Sequence, residues 1–183
     1  MKMHKTLLVA LLPLLALAQP ASAQMENFKP GPVFTDFGPT APVEQSEPLA
    51  ADSTFHIAFD VSTAADPDKI NRTIESAARF INMQVKAGVP EENIHLAIVV
   101  HGGASVDLTN QNFFAAKKDG RKNASAAAIA QLQDHGVKFY LCGQSAAANG
   151  ISNDDLLPGV KMSLSAMTAH ALLQQQGYTI NPF

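Results

Sequence analysis

Cysteine is nearly absent from this sequence: one residue, Cys142, stands in 183. That excludes an intramolecular disulfide and any zinc site built from a cysteine cluster. Charge is also scarce, at 16% of residues against a typical ~25%. The formal net charge of −3 gives no basic field of the kind a nucleic-acid binder relies on. No period of 20–50 residues recurs, which excludes a solenoid or propeller. What is present is apolar material, 46% of the chain, enough for one ordinary domain and too much for a disordered one.

Residues 1–23 read as a secretory signal peptide. Lys2 and Lys5 form the positive start, Thr6 to Ala18 an apolar stretch, and Ala21-Ser22-Ala23 the small-residue cleavage site. An uncleaved anchor is the alternative, but the apolar run is short for a membrane span and Pro13 interrupts it. Cleavage after Ala23 leaves 11 basic and 16 acidic residues, a charge of −5. No later stretch is long and apolar enough to cross a bilayer, so the expectation is a soluble periplasmic or secreted protein without a membrane segment.

Residues 24–51 hold Pro30, Pro32, Pro39, Pro42 and Pro48, a density that neither a helix nor a central strand tolerates. The segment reads as an extended arm. Phe28, Val33, Phe34 and Phe37 equip it to pack on a surface, and a disordered linker is the alternative.

From residue 52 to 183 the pattern is that of one α/β domain. Phe55 to Val61, Ile94 to Val100, Val137 to Cys142, Val160 to Leu164 and Tyr178 to Ile180 read as strands. Asp66-Pro67 is placed to start a helix whose apolar face runs from Ile70 through Ile74, Ile81 and Val85. Weaker helical stretches cover Asp107 to Lys118, the segment capped by Asn123, Ala146 to Asn149 and Met167 to Gln176. Strands alternating with helices predict a three-layer α/β/α fold around a mostly parallel sheet of about five strands.

Such sheets bind ligands outside the carboxyl ends of their strands. That rule nominates Asp60, His101-Gly102-Gly103, Cys142-Gly143 and Ser163 to Ser165. Cys142 is buried and inert, joined to another chain, or reactive. Its position before a short helical run, with Gly143 permitting a sharp turn, favours the reactive thiol in an exported chain. Backbone N–H groups of Gly143, Gln144 and Ser145 are then candidate ligand- and thiolate-binding groups. His101 is the candidate to assist the thiolate or to bind an anion; a hydrogen-bonded rim histidine without chemistry is the plainer reading. The His-Gly-Gly stretch is superficially that of an oxyanion hole, yet no Gly-x-Ser-x-Gly match accompanies it. Asp60 orients His101, caps the turn that follows it, or joins the ligand rim. Asp154 and Asp155 read as solvated loop acids. The histidines show no metal-ligand spacing, so neither a metal nor a cofactor is expected.

Several separated stretches resemble the DsrE/DsrF-like family. They are Val137 to Ser145, Gly150-Ile151 with Asp154 to Val160, Ala87-Gly88-Val89-Pro90 leading to His101-Gly102, and Leu164 to Met167 continued by Gln174 to Tyr178. The resemblance covers roughly Phe55 to Phe183. It implies the three-layer fold and assembly as a homotrimer or homohexamer. In the family's sulfur relays a cysteine at the end of the third strand accepts persulfide sulfur and passes it on, and Cys142 falls at that position. The resemblance therefore implies a persulfide carrier with donor or acceptor proteins as partners. The alternative is a non-catalytic oligomeric binding or sensor module in which Cys142 is structural.

Overall fold

Alternation within the strands decides the architecture. In β1 (Phe55–Val61), β2 (Ile94–Val100) and β3 (Lys138–Cys142), large apolar residues occupy one face and small or polar ones the other. With β4 (Lys161–Ser163) and β5 (Thr179–Asn181) they form one parallel sheet in the order β4-β3-β2-β1-β5. The structure, a computed structural model, describes residues 25–182. The expected signal peptide at 1–23 lies outside the described residues.

The first face carries Phe59, Val61, Leu96, Ile98, Val100, Phe139 and Leu141, all buried. They share one core with α1 (Arg72–Lys86) and α3 (Ala126–Asp134), and with Phe114 of α2 (Gln111–Lys117) and Ala146 of α4 (Gly143–Asn149). The second face carries Ala58, Ala97 and Val99. Their small size suits close packing of α5 (Ala166–Gln175) through Ala169 and Leu173. Helices on both faces of a parallel sheet make the three-layer α/β/α fold expected from the sequence. Among the described residues, no helix is long and apolar enough to cross a membrane.

Several boundaries differ from the sequence expectation, among them the start of α4 at Gly143 rather than Ala146, and three of the differences have a clear local reason. The first helix starts at Arg72 with Asn71 as its cap, not at Asp66-Pro67. Asp68 takes φ +60°, and a helix cannot run through a left-handed residue. Asn71 is fixed instead: its side chain accepts from Thr73 N–H and donates to Thr63 O and Asp107 Oδ2. Asp107 lies in a 3-10 run, Gly102–Leu108, and α2 begins only at Gln111 behind the Asn110 cap. Asn123 stands two residues before the cap of α3, Ser125, and holds the turn by accepting from Ser125 N–H and donating to Asp107 O and Thr109 O. Asp155 is more than a solvated acid, since it closes a capping box with Ser152.

The proline-rich segment is not a free linker over its first half. Lys29 and Thr40 exchange two backbone hydrogen bonds of 2.9 Å and close residues 29–40 into a loop. Phe34 and Phe37 are buried against the first-face core, worth about 2 kcal/mol each by area. The latch is Asn82, fully buried on α1. Its oxygen accepts from Val33 and Phe34 N–H, and its nitrogen donates to Phe34 and Gly38 carbonyls, all at 2.9–3.0 Å. A Cβ on Gly31 would sit 1.9 Å from the Asn82 side chain, so glycine is required there. Arg79 adds a bond to Pro39 O and stands over the Phe28 ring.

Replacing Asn82 by Ala removes four hydrogen bonds to the loop and strands Val33 N–H, Phe34 N–H and Gly38 O, while Phe34 O keeps its bond from Gly31 N–H. Urea unfolding should show a loss of about 3 kcal/mol, in the range for buried hydrogen-bonding groups left unpaired, with faster proteolysis between residues 29 and 40. A loss under about 0.5 kcal/mol would mean that the loop is not held by this side chain.

Candidate functional site

The parallel register brings the carboxyl ends of the strands to one edge. There the chain places Asp60 at the end of β1, His101 just after β2, and Cys142 as the last residue of β3, opposite Ser163 of β4. The loops that leave this edge supply the remaining groups.

Cys142 is 6% exposed. Burial alone pushes a thiol pKa up, because it penalises the charged form. Here nearby donors outweigh burial: the Ser145 hydroxyl, and the backbone N–H groups of Ser145, Ala166 and Gln144. The Cys142 pKa is lowered. These donors belong to the starts of two helices, α4 and α5, which come together at this edge. Gly143 lets them meet, for a Cβ there would lie 2.5 Å from Ser163 O and 3.1 Å from Leu164 O. Gln144 Nε2 donates to Leu164 O at 3.2 Å and ties the two starts together.

Ser145 has a second bond. Its Oγ accepts from Gly102 N–H at 3.0 Å, with Gly102 at φ +54°. A hydroxyl that accepts from one side is free to donate on the other, toward sulfur. The loop after β2 thus reaches Cys142 through Ser145.

His101 does not take that route with its ring. Its Nε2 lies 3.1 Å from Asp60 Oδ2, while His170 Nε2 lies 2.7 Å from Asp60 Oδ1. The carboxylate is thus held between two imidazoles. Burial pushes the Asp60 pKa up, but the hydrogen bonds and positive charge of His101 and His170 prevail, and it lies below the ordinary carboxylate value. The Asp60 carboxylate is thus bonded to His101 and His170.

His170 and the dual role of Ser145 are the site residues the sequence reading missed. A signal for His170 existed: Ala166, Ala169, His170 and Leu173 form one stripe of α5 facing the sheet, and a histidine within it needs a polar partner. The same helix gives its Ala166 N–H to Cys142 and its His170 to Asp60, so α5 joins both halves of the rim. Leu164 and Met167, which flank the thiol's donor Ala166, are 73% and 80% exposed. Among the described residues no group of three or more histidine, cysteine or acidic side chains is placed to hold a metal.

The sequence pattern of the DsrE/DsrF-like family matches residues 55–182. No curated protein matches the chain. Two solved structures are similar. One is a protein of unknown function, MTH1491, from Methanobacterium thermoautotrophicum, at 17% identity, TM-score 0.52, covering 70% of this chain and 99% of that one. The other is the ychN protein from E. coli, at 17% identity, TM-score 0.52, covering 71% and 100%. At that identity the likeness establishes the fold.

The Asp60 arrangement has a pH signature. Its folded pKa is depressed, so the stability it contributes is present above the ordinary carboxylate value and lost as pH falls through the lowered one. Asp60 is 32% exposed, so screening keeps the effect modest. The stability gap between wild type and Asp60→Asn, measured in urea, should be open near pH ~6 and close as pH drops below ~4. A gap that ignores pH would contradict a charged Asp60 held by two imidazoles.

Proposed function

This chain belongs to the DsrE/DsrF-like family, and on that premise we propose that it carries sulfur as a persulfide on Cys142 outside the cytoplasm, in the periplasm. The observation that carries the reading is the thiol itself: nearly buried, yet with its pKa lowered by one hydroxyl and three backbone N–H donors. Thiolate is the nucleophilic form, and a thiol with a lowered pKa supplies more of it at neutral pH.

The chemistry needs no outside oxidant or reductant. The Cys142 thiolate attacks the outer sulfur of a donor persulfide, a new sulfur–sulfur bond forms, and the donor leaves as its own thiolate. A polysulfide or thiosulfonate-type donor reacts in the same sense and loses its corresponding anion. An acceptor thiolate then attacks the outer sulfur of the Cys142 persulfide and restores the Cys142 thiolate. The donors around the sulfur favour the charged form at the start and end of this cycle. Donor and acceptor approach where Leu164 and Met167 stand exposed, an apolar lip suited to a protein partner. Asp60 fixes the ring of His101 at the same rim. The reading of residues 1–23 as an export signal supports the periplasmic location.

A second reading has its own observation. Cys142 is 6% exposed, which suits a packed structural cysteine in a binding or sensor module. Intact mass spectrometry after exposure to polysulfide separates the two. The carrier gains one sulfur on wild type, and the gain disappears in Cys142→Ser. Wild type that stays unmodified by polysulfide and by small alkylating agents alike would make Cys142 structural.

A further inference from the structure

A cavity of about 280 Å³ opens beside the first-face helices, between the loop that follows β1 and the loop that leads into α3. Phe114, Asn123 and Ser125 border it, so it lies on the α2 and α3 side of the sheet and is built from none of the residues that hold Cys142. Five of the chain's 13 basic residues border it: Lys69, Lys117, Lys118, Arg121 and Lys122. This concentration stands out in a chain whose formal net charge is −3.

Its acids are largely engaged. Asp66 pairs with Lys69 at 3.6 Å and Asp68 with Arg121 at 2.9 Å. Asp107 is 1% exposed, and its Oδ2 is taken by Ala65 N–H and Asn71 Nδ2, both at 2.8 Å. Lys117, Lys118 and Lys122 and one further acid, Asp119, complete the lining; Lys118 lies near enough to Asp107 to oppose the rise in pKa that burial gives it, and Lys117 Nζ stands 5.5 Å from the centre of the Phe113 ring. The start of α3 at Ala124 and Ser125 also borders the cavity and adds the positive end of a nine-residue helix. The Arg121–Asp68 pair links the two loops and sets the guanidinium at the rim.

We propose that this cavity binds a small polyvalent oxyanion of diphosphate size. Lys117 and Lys122, neither in an ion pair among the described residues, supply the charge together with Lys118, and Arg121 supplies a planar donor pair that exchanges its exposed partner Asp68 for the ligand. The volume sits at the lower end of small-ligand sites, which suits a compact anion and excludes a large cofactor. The inference does not depend on the reading of Cys142.

Calorimetric titration of inorganic diphosphate into the intact protein at low ionic strength tests it. Binding should saturate at one equivalent and weaken on adding salt. The pair Lys117→Gln and Lys122→Gln, both at exposed positions, should lower affinity at least about tenfold, as loss of two charge-assisted bonds implies. Lys122→Gln alone gives a smaller loss with less risk to folding. Lys161→Gln, at an exposed lysine of β4, and Cys142→Ser should leave affinity unchanged. Absence of saturable binding, or an equal loss in Lys161→Gln, would overturn the proposal.

Discussion

A thiol that is 6% exposed gains a charge only where donors replace the water it has lost. In this protein the donors reach Cys142 from separate loops: Ser145 and Gln144 from the start of α4, Ala166 from the start of α5, and Gly102 from behind Ser145. The rest of the edge is arranged around that requirement. Parallel pairing puts the ends of β2, β3 and β4 side by side. Gly143 allows backbone contact with Ser163, and the small Ala58 and Ala97 admit α5 close to the sheet. A bulkier second face would push the Ala166 N–H away from the sulfur.

The same closeness places His170 on Asp60. A helix packed on alanines brings its own side chains near the strand ends, and α5 uses this twice, once by backbone and once by side chain. The other face is built differently. Large residues fill it, and a buried polar group, Asn82, is tolerated because all four of its bonds are made to the loop at 29–40. That loop packs against Ala78, Arg79 and Asn82 of α1.

Much of the fold was legible because alternation and strand length are local signals. Phe55 to Val61 and Ile94 to Val100 have the bounds expected of them. The start of α1 was not legible from Asp66-Pro67, since the left-handed Asp68 and the bonds of Asn71 to Thr63 and Asp107 are tertiary facts. The docking of Phe34 depends on Asn82, 48 residues away, which reads in sequence as one more polar helix position. At the site, the rule that ligands gather at strand ends nominated Asp60, His101, Cys142 and Ser163 to Ser165, with Ser145 added by the turn after Cys142. It did not find which of them bond, because His101 pairs with Asp60 while the sulfur link runs through the backbone of Gly102.

Everything at this edge turns on one point: the donors around Cys142 make it more acidic than its burial would allow. Titration of the ultraviolet thiolate absorbance of the only cysteine, in wild type and in Ser145→Ala, tests it most directly. The wild-type midpoint should lie below that of an ordinary thiol and move upward in Ser145→Ala as the hydroxyl donor is lost. A wild-type midpoint at or above the ordinary value, or one that Ser145→Ala leaves in place, would contradict it.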